Sequence, residues 1–518
     1  MWRLVRLATA VMLVLMAFVV RVGLTTFDSA GGAKGMTAFM DLLRNPAMNA
    51  LYGRATSLAT AGAFVVWRMG MYLALGAALW AGLVATRLTR SAEDDGTWDL
   101  LVIGVTGRRP ALKTAIIVVA EGGVGAGAVT FLGLMSGSQS VTGSTLFGAA
   151  LAGVAWFGGA IGLLCAQLFA PRRSCSQIAL VSVGLMFLLR MLADGSLANG
   201  WLRWLTPFGW LENVDSFGHR SWAWTLPLLI VPALAIAAAL WIQGRRDIGG
   251  ALWVRPDRSR AHVMLLASPW RFAWRERRSS LVAWAIGLAA IGVVVGYLTD
   301  ALVSFSRSNP AYARLLNQWG YGSMITVKGF VAEICVMRAL ALSFLVVTLL
   351  TMVSADNLQG RLEVPFATGT GRVKWLSANL AATSLGLLVV ALVSGVAMWA
   401  GAEFSGSSVA LSVTLKGMLN SVSVAPLIVG VAAVFVVWLP RFAFTAMAAL
   451  LSLCYVISML GPILHWPTWL LDVSPFHFLH LSSRLRRRTG GATTMFFLIG
   501  AALTTVASIG FARGDRGR

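Results

Sequence analysis

The sequence predicts an all-α polytopic membrane protein with about twelve transmembrane helices, arranged as two parallel six-helix repeats. Three observations carry that reading: scarce charge, evenly spaced helix-length apolar runs, and short segments that recur in the two halves. Of the 518 residues, 58% are hydrophobic and 12% charged, with a mean hydropathy of +0.76. Soluble chains carry roughly 25% charged residues. Disorder is excluded too, because it needs a chain poor in apolar residues.

The spans follow in order. Apolar runs lie at 7–27, 62–85, 114–135, 144–169, 177–193 and 224–243, then at 280–299, 336–354, 377–401, 418–438, 442–464 and 493–512. Each has about 17–26 residues, enough at 1.5 Å per residue to cross a hydrocarbon core of ~30 Å. The first run exceeds a signal-peptide core and lacks a small-residue cleavage site, so it reads as a span. Period-two alternation is absent, which argues against a transmembrane barrel. The expected division is a first half at 1–243, a basic linker at 244–279 and a second half at 280–518.

Basic residues set the orientation. The linker holds Arg245, Arg246, Arg255, Arg258, Arg260, Arg271, Arg275, Arg277 and Arg278, which belongs in the cytoplasm by the positive-inside rule. Arg87, Arg90, Arg108, Arg109, Lys113, Arg172, Arg173, Arg372, Lys374 and Arg441 then share that side, and both termini are cytoplasmic. Arg484, Arg486, Arg487 and Arg488 fall outside, against the rule. The net charge of +22 is thus loop arginine rather than a nucleic-acid face.

Several chemistries are excluded. There is no G-x-x-x-x-G-K-[ST], so no phosphate-cradling loop for ATP, and no H-E-x-x-H, G-x-S-x-G or Gly-rich dinucleotide loop. Cys165, Cys175, Cys335 and Cys454 form no CxxC pair and read as small apolar helix residues. His465, His477 and His480 stand near Trp466, Trp469 and Phe476, which reads as a membrane-interface belt rather than a metal site. No catalytic residue, metal or cofactor is expected on this chain.

The halves repeat. Asp95-Gly96-Thr97-Trp98-Asp99-Leu100, closing at Gly107-Arg108, parallels Gln359-Gly360-Arg361-Leu362-Glu363-Val364, closing at Gly371-Arg372. Pro171-Arg172 parallels Pro440-Arg441, and Thr206-Pro207-Phe208 parallels Ser474-Pro475-Phe476, at nearly constant displacement. Each pair stands at the same place in the order of spans, so both halves enter the membrane in one direction. The loop after the second span places Glu93, Asp94 and Asp95 ahead of a Leu/Trp stretch and Arg108-Arg109 behind it. That pattern suits a short helix on the membrane face with acids at its positive N-terminal end.

This loop resembles the acidic-Gly-x-x-[DE]-Leu-Leu…Gly-Arg segment of ABC-2-type exporter permeases. The likeness extends over essentially the whole chain and is strongest to the fused, two-half group of actinobacterial antibiotic and multidrug exporters, of polyketide and tetronasin type. It implies a coupling helix that docks on a separately encoded ATPase. By resemblance the contact falls on Glu93, Asp94, Asp95, Gly96 and Asp99, and on Asp356, Gly360, Arg361 and Glu363 in the second half. The second loop departs from the pattern, with Asn357, Leu358 and Gln359 in place of the acidic run and Pro365 breaking the Leu pair. Pro171, Arg172, Pro440 and Arg441 become a second coupling turn. An amphipathic elbow helix before the seventh span matches Trp270, Arg271, Trp274 and Arg275. The first half keeps only Trp2, Arg3 and Arg6 of it.

Ionisable groups inside spans are functional candidates. Glu121 in the third span is the candidate for the substrate path, whereas Arg68, Glu333 and Arg338 read as snorkelling residues at span ends. Gln167 and Asn379 read as interhelical hydrogen-bond glue. The resemblance then implies a permease of the bacterial plasma membrane that exports a lipophilic or amphipathic compound. ATP and Mg would be bound by a partner ABC ATPase, a homodimer; lipid is the other partner, and nucleic acid is not one. The alternative is a proton-driven carrier of two six-helix halves, but the loop lacks Gly-x-x-x-Asp-[RK]-x-Gly-Arg and few acids lie within spans. An integral-membrane enzyme would need His or acids clustered at one depth, and none are seen.

Overall fold

The computed structural model describes residues 2–29, 32–33, 46–54, 56, 58–94, 110–137, 139–169, 172–195, 197–245, 268–308, 310–318, 321–358, 360–367, 369–407, 409–461, 466–484 and 489–513. Among them the regular elements are helices, and eleven are long and apolar enough to cross a membrane. The protein is an all-α polytopic membrane protein. By contacts it divides into two compact units, Met1–Arg258 and Ser259–Arg518.

The first unit contains α1 (Trp2–Ser29), α2 (Pro46–Tyr52), α3 (Ala61–Asp94), α4 (Pro110–Met135), α5 (Val141–Leu168), α6 (Arg172–Asp194), α7 (Pro207–Val214) and α8 (Thr225–Arg245). A 3-10 segment, Leu197–Leu205, joins α6 to α7. The shortest predicted run, 177–193, lies within α6. Helix α5 is the hub, packed by α3, α4, α6 and α8. Lipid tails are as apolar as the helices, so burial alone does not drive them together, and close backbone approach matters instead. Gly158 and Gly162 permit it: a methyl on either would collide with the α3 backbone at Ala78 or Gly82.

The second unit contains α9 (Pro269–Ser308), α10 (Pro310–Gln318), α11 (Val327–Leu358), α12 (Glu363–Ala367), α13 (Arg372–Phe404), α14 (Leu411–Val422), α15 (Ala425–Trp438), α16 (Ala443–Leu460), α17 (Thr468–Leu471), α18 (Pro475–Arg484) and α19 (Thr489–Arg513). Its tightest pair is α9 on α13, where Gly296 meets the Met398 carbonyl and Gly401 the Val293 carbonyl. The fourth span is broken between α14 and α15, where Pro426 in the first turn of α15 can donate no N–H to a continuing helix. The run expected at 442–464 forms α16, 18 residues long.

The repeat is visible in side chains. Thr206 caps α7 by accepting the Gly209 N–H at 3.0 Å, with Pro207 at the first turn, where its fixed φ suits the helix. Phe208 is fully buried, edge-on to Phe187 of α6 at 5.2 Å. In the second unit Ser474 and Pro475 open α18, and buried Phe476 stands edge-on to Tyr455 of α16 at 5.8 Å.

Three expectations are corrected. Glu333 and Arg338 do not snorkel; they are 1% and 5% exposed. The Arg338 guanidinium enters a slot between α9 and α13, where Nη1 donates to the Ser394 carbonyl at 3.4 Å and Nη2 to the Leu288 carbonyl. The slot exists because Gly292 has no side chain: a Cβ there would lie 2.9 Å from Nη2. Asn379 does not bridge helices, since its Nδ2 donates to Trp375 of its own helix at 2.8 Å. The elbow is not a separate helix either. Residues 270–286 hold neither Gly nor Pro, and α9 runs unbroken for 40 residues.

Candidate functional site

Helix α3 continues past its apolar span to Asp94. Arg90 near its end is 1% exposed; its Nε donates to the Ala166 carbonyl of α5 at 2.6 Å, and its Nη1 meets Glu93 Oε2 at 2.6 Å. Glu93 is therefore turned toward the root of the loop, where it neutralises a buried guanidinium. Asp94 is the last helical residue. Asp95, Gly96 and Asp99 lie outside the described residues, as does Pro171.

The second loop is compact. Its chain turns at Gly360, with φ of +71°, a conformation that glycine adopts without strain. The Arg361 N–H donates to the Asp356 carbonyl at 3.0 Å, and their side chains pair at 3.7 Å. Arg361 and Glu363 are exposed at the start of α12, and Arg372 lies 4.9 Å over the Phe366 ring. The loop thus presents a short helix flanked by one basic and one acidic side chain. Arg172 opens α6, and exposed Arg441 lies with Pro440 in the turn between α15 and α16. At the start of α9, Trp270 and Arg271 are exposed while Trp274 packs against the core and Arg275 is half-buried.

Glu121 lies on an exposed face of α4. The sequence reading missed a different feature: a groove of about 580 Å³ between α13, the α14–α15 break and α19. It is lined by Ser377, Leu380, Ala381, Ser384 and Leu387, by Val422, Ala425, Pro426 and Val429, and by Phe497, Gly500, Ala501, Thr504, Thr505 and Ser508. None of these is charged. The hydroxyls of Ser384, Thr505 and Ser508 donate to carbonyls of their own helices at 3.0, 2.8 and 2.8 Å, so their lone pairs remain to accept. The volume falls in the ~300–1,000 Å³ range of small-molecule sites. The lining suits an uncharged lipophilic molecule with a few polar atoms.

The first unit fills the same place. The register set by Pro171/Pro440 puts Trp156 and Phe157 where the groove has Ala425 and Pro426. The Trp156 Nε1 donates to the Ala120 carbonyl of α4 at 3.2 Å, and its ring lies against Gly123. The register of Pro207/Pro475 replaces Thr504, Thr505 and Ser508 by Ile236, Ala237 and Leu240. Lining the repeats against each other exposes this difference in sequence alone.

Among the described residues no group of three His, Cys, Asp or Glu converges as metal ligands. His477 stands 4.0 Å from Asp472, and His465 lies outside the described residues. All four cysteines are buried, and none of them forms a disulfide.

Comparison with known proteins gives two findings. Residues 266–512 match the family described as multidrug efflux system permease Rv1217c, C-terminal domain. The chain is also 29% identical over 495 residues to the multidrug efflux system permease protein Rv1217c of Mycobacterium tuberculosis (strain ATCC 25618 / H37Rv), covering 92% of this chain and 86% of that protein. The first match spans α9 to α19, with the second loop and the groove.

Proposed function

We propose that this chain is the permease of an ATP-driven exporter that moves lipophilic or amphipathic compounds, drugs among them, out of the cell. The observation that carries this is the near full-length similarity to a multidrug efflux permease. The two loops support ATP as the driver. A chain without its own phosphate loop needs a partner, and Asp94, Asp95, Asp99, Arg361 and Glu363 offer charged contacts to a separate ABC ATPase dimer that binds ATP and Mg. The groove supports an uncharged lipophilic substrate, received from lipid between α13, α15 and α19. Closing of the ATPase on the loops would then rock the units between two packings. The chain itself is a transporter subunit, not an enzyme.

The test is drug accumulation in cells carrying the chain and its partner. ATP depletion at a maintained proton gradient should abolish export, and a protonophore at maintained ATP should leave it. The double substitution Asp95→Lys, Asp99→Lys should uncouple export at normal membrane abundance. Export that survives ATP depletion but stops with the protonophore overturns the ATP reading in favour of proton drive.

A further inference from the structure

The end of the first unit opposite Arg90 and Arg172 holds a buried ionic cluster where the spanning helix α6 ends, and α7, which adds Glu212 to it, lies outside the membrane-spanning segments. Arg190 and Asp194 stand one turn apart on α6, both fully buried, with Nη1 to Oδ2 at 3.3 Å. Arg203, on the 3-10 segment, places its Nε 2.7 Å from Asp194 Oδ1, and half-exposed Arg54 places its Nε 3.9 Å from the same oxygen. Three guanidinium groups thus converge on Asp194.

Glu212 of α7 enters the same cluster on poorer terms. Its Oε1 accepts the Arg54 backbone N–H. Its Oε2 lies 3.9 Å from Arg203 Nε, makes no hydrogen bond, and is 4% exposed at the side-chain level. Glu212 also lines a cavity of about 40 Å³ with Tyr52, Arg54, Trp67, Phe147 and Asp215. That space holds one or two waters, not a drug. Asp215 is already held, accepting from Thr56 Oγ1 at 3.1 Å and from the His219 N–H at 2.8 Å.

We propose that Glu212 is a proton-binding site, loaded and emptied through this cavity from the side opposite the arginine-rich loops, and that its ionisation loosens the cap formed by α2, α6, α7 and the 3-10 segment. The geometry gives the reason. A carboxylate at Oε2 would be buried without a close donor and beside a second acidic side chain, Asp194, whereas a carboxylic acid carries one charge fewer and gains a donor. The groups facing it are Arg54, Arg190, Asp194, Arg203, Asp215 and the Tyr52 phenol. Burial first, and Asp194 second, push the Glu212 carboxyl from its usual 4.5 up to about 8, against the opposing pull of Arg190. The folded pKa is raised, so this contribution to stability is complete below the unfolded value and is lost as pH rises through about 8. The site does not depend on what drives export.

The experiment uses the full chain in detergent micelles or lipid nanodiscs. Infrared difference spectra between about pH 6 and pH 10 should show a protonated carboxyl band that disappears with a midpoint near 8. Glu212→Gln should remove that band and flatten the fall in thermal stability over the same range. Asp215→Asn, in the same cavity, should preserve both. If Glu212→Gln fails to fold, the wild-type infrared titration still decides. No carboxyl band between those pH values, a band unchanged in Glu212→Gln, or loss of the band in Asp215→Asn would each overturn the assignment.

Discussion

The two units share one frame, and each carries a polar feature that the other lacks. In the first unit, Arg190, Asp194, Arg203 and Glu212 bind the cap together; the Pro207/Pro475 register puts Ser458, Pro462, Leu471 and His480 at the corresponding sequence positions. In the second unit the polar groups are hydroxyls around a groove toward the Arg372 end of α13, a place the first unit closes with Trp156. The shared parts are those that set helix direction: a proline at the helix start and a buried Phe edge-on to the fifth span. Groups that set direction are constrained by the frame. Groups that set chemistry are not, so the halves of a duplicated fold can diverge, one carrying a buried ionic cluster and the other an open groove.

The buried arginines give the largest expected effect. Arg190→Ala removes a guanidinium from buried Asp194 and should destabilise by about 3–5 kcal/mol. Arg338→Met removes a guanidinium that donates to the Ser394 and Leu288 carbonyls, and methionine fills much of the slot, so less than about 1.5 kcal/mol is expected. Denaturant titration of the purified chain in micelles measures both, and equal losses would break the comparison.

The groove gives the next. Trp156→Ala should open the first unit's counterpart and destabilise by about 3 kcal/mol, the lower end for a large aromatic because Trp156 is only partly buried. Ala425→Trp should do the converse: stability nearly unchanged, with drug export reduced at least about tenfold. Export unaffected by Ala425→Trp would show that the groove holds only lipid.

The smallest effect is expected at the second loop. Glu363 is exposed and its neighbours are Arg361 and Asp356 rather than an acidic run, so Glu363→Lys should reduce export less than about twofold. A loss as large as that from charge reversal at Asp95 and Asp99 would make the two loops equivalent and remove the asymmetry.

Span positions were legible in the sequence because a lipid-crossing helix announces itself through local hydropathy, and even the short 177–193 run formed its helix. The repeat was legible because its anchors are turns and caps, which depend on neighbouring residues. Interhelical geometry was not. Arg338 reads as snorkelling unless Gly292 and Ser394, on two other helices, are known to leave it a slot. Glu212 and Asp194 are separated by a 3-10 segment that composition alone does not distinguish from a loop. The Arg90–Glu93 pair was legible: Arg90 stands three residues before Glu93, a spacing that brings helix side chains together.

Helix α9 has a mechanical consequence. Its 40 residues make a rod about 60 Å long at 1.5 Å per residue, roughly twice the hydrocarbon thickness. Arg277 pins it near one end, donating to the Ala273 carbonyl of its own helix at 3.1 Å and to the Leu349 carbonyl of α11 at 3.4 Å. A stiff rod with a fulcrum near one end is a lever of unequal arms. A push at Trp270 that tilts α9 by about 5° about Arg277 sweeps its far end through about 4 Å, and the small displacement at the short arm is amplified across the membrane without any helix having to bend.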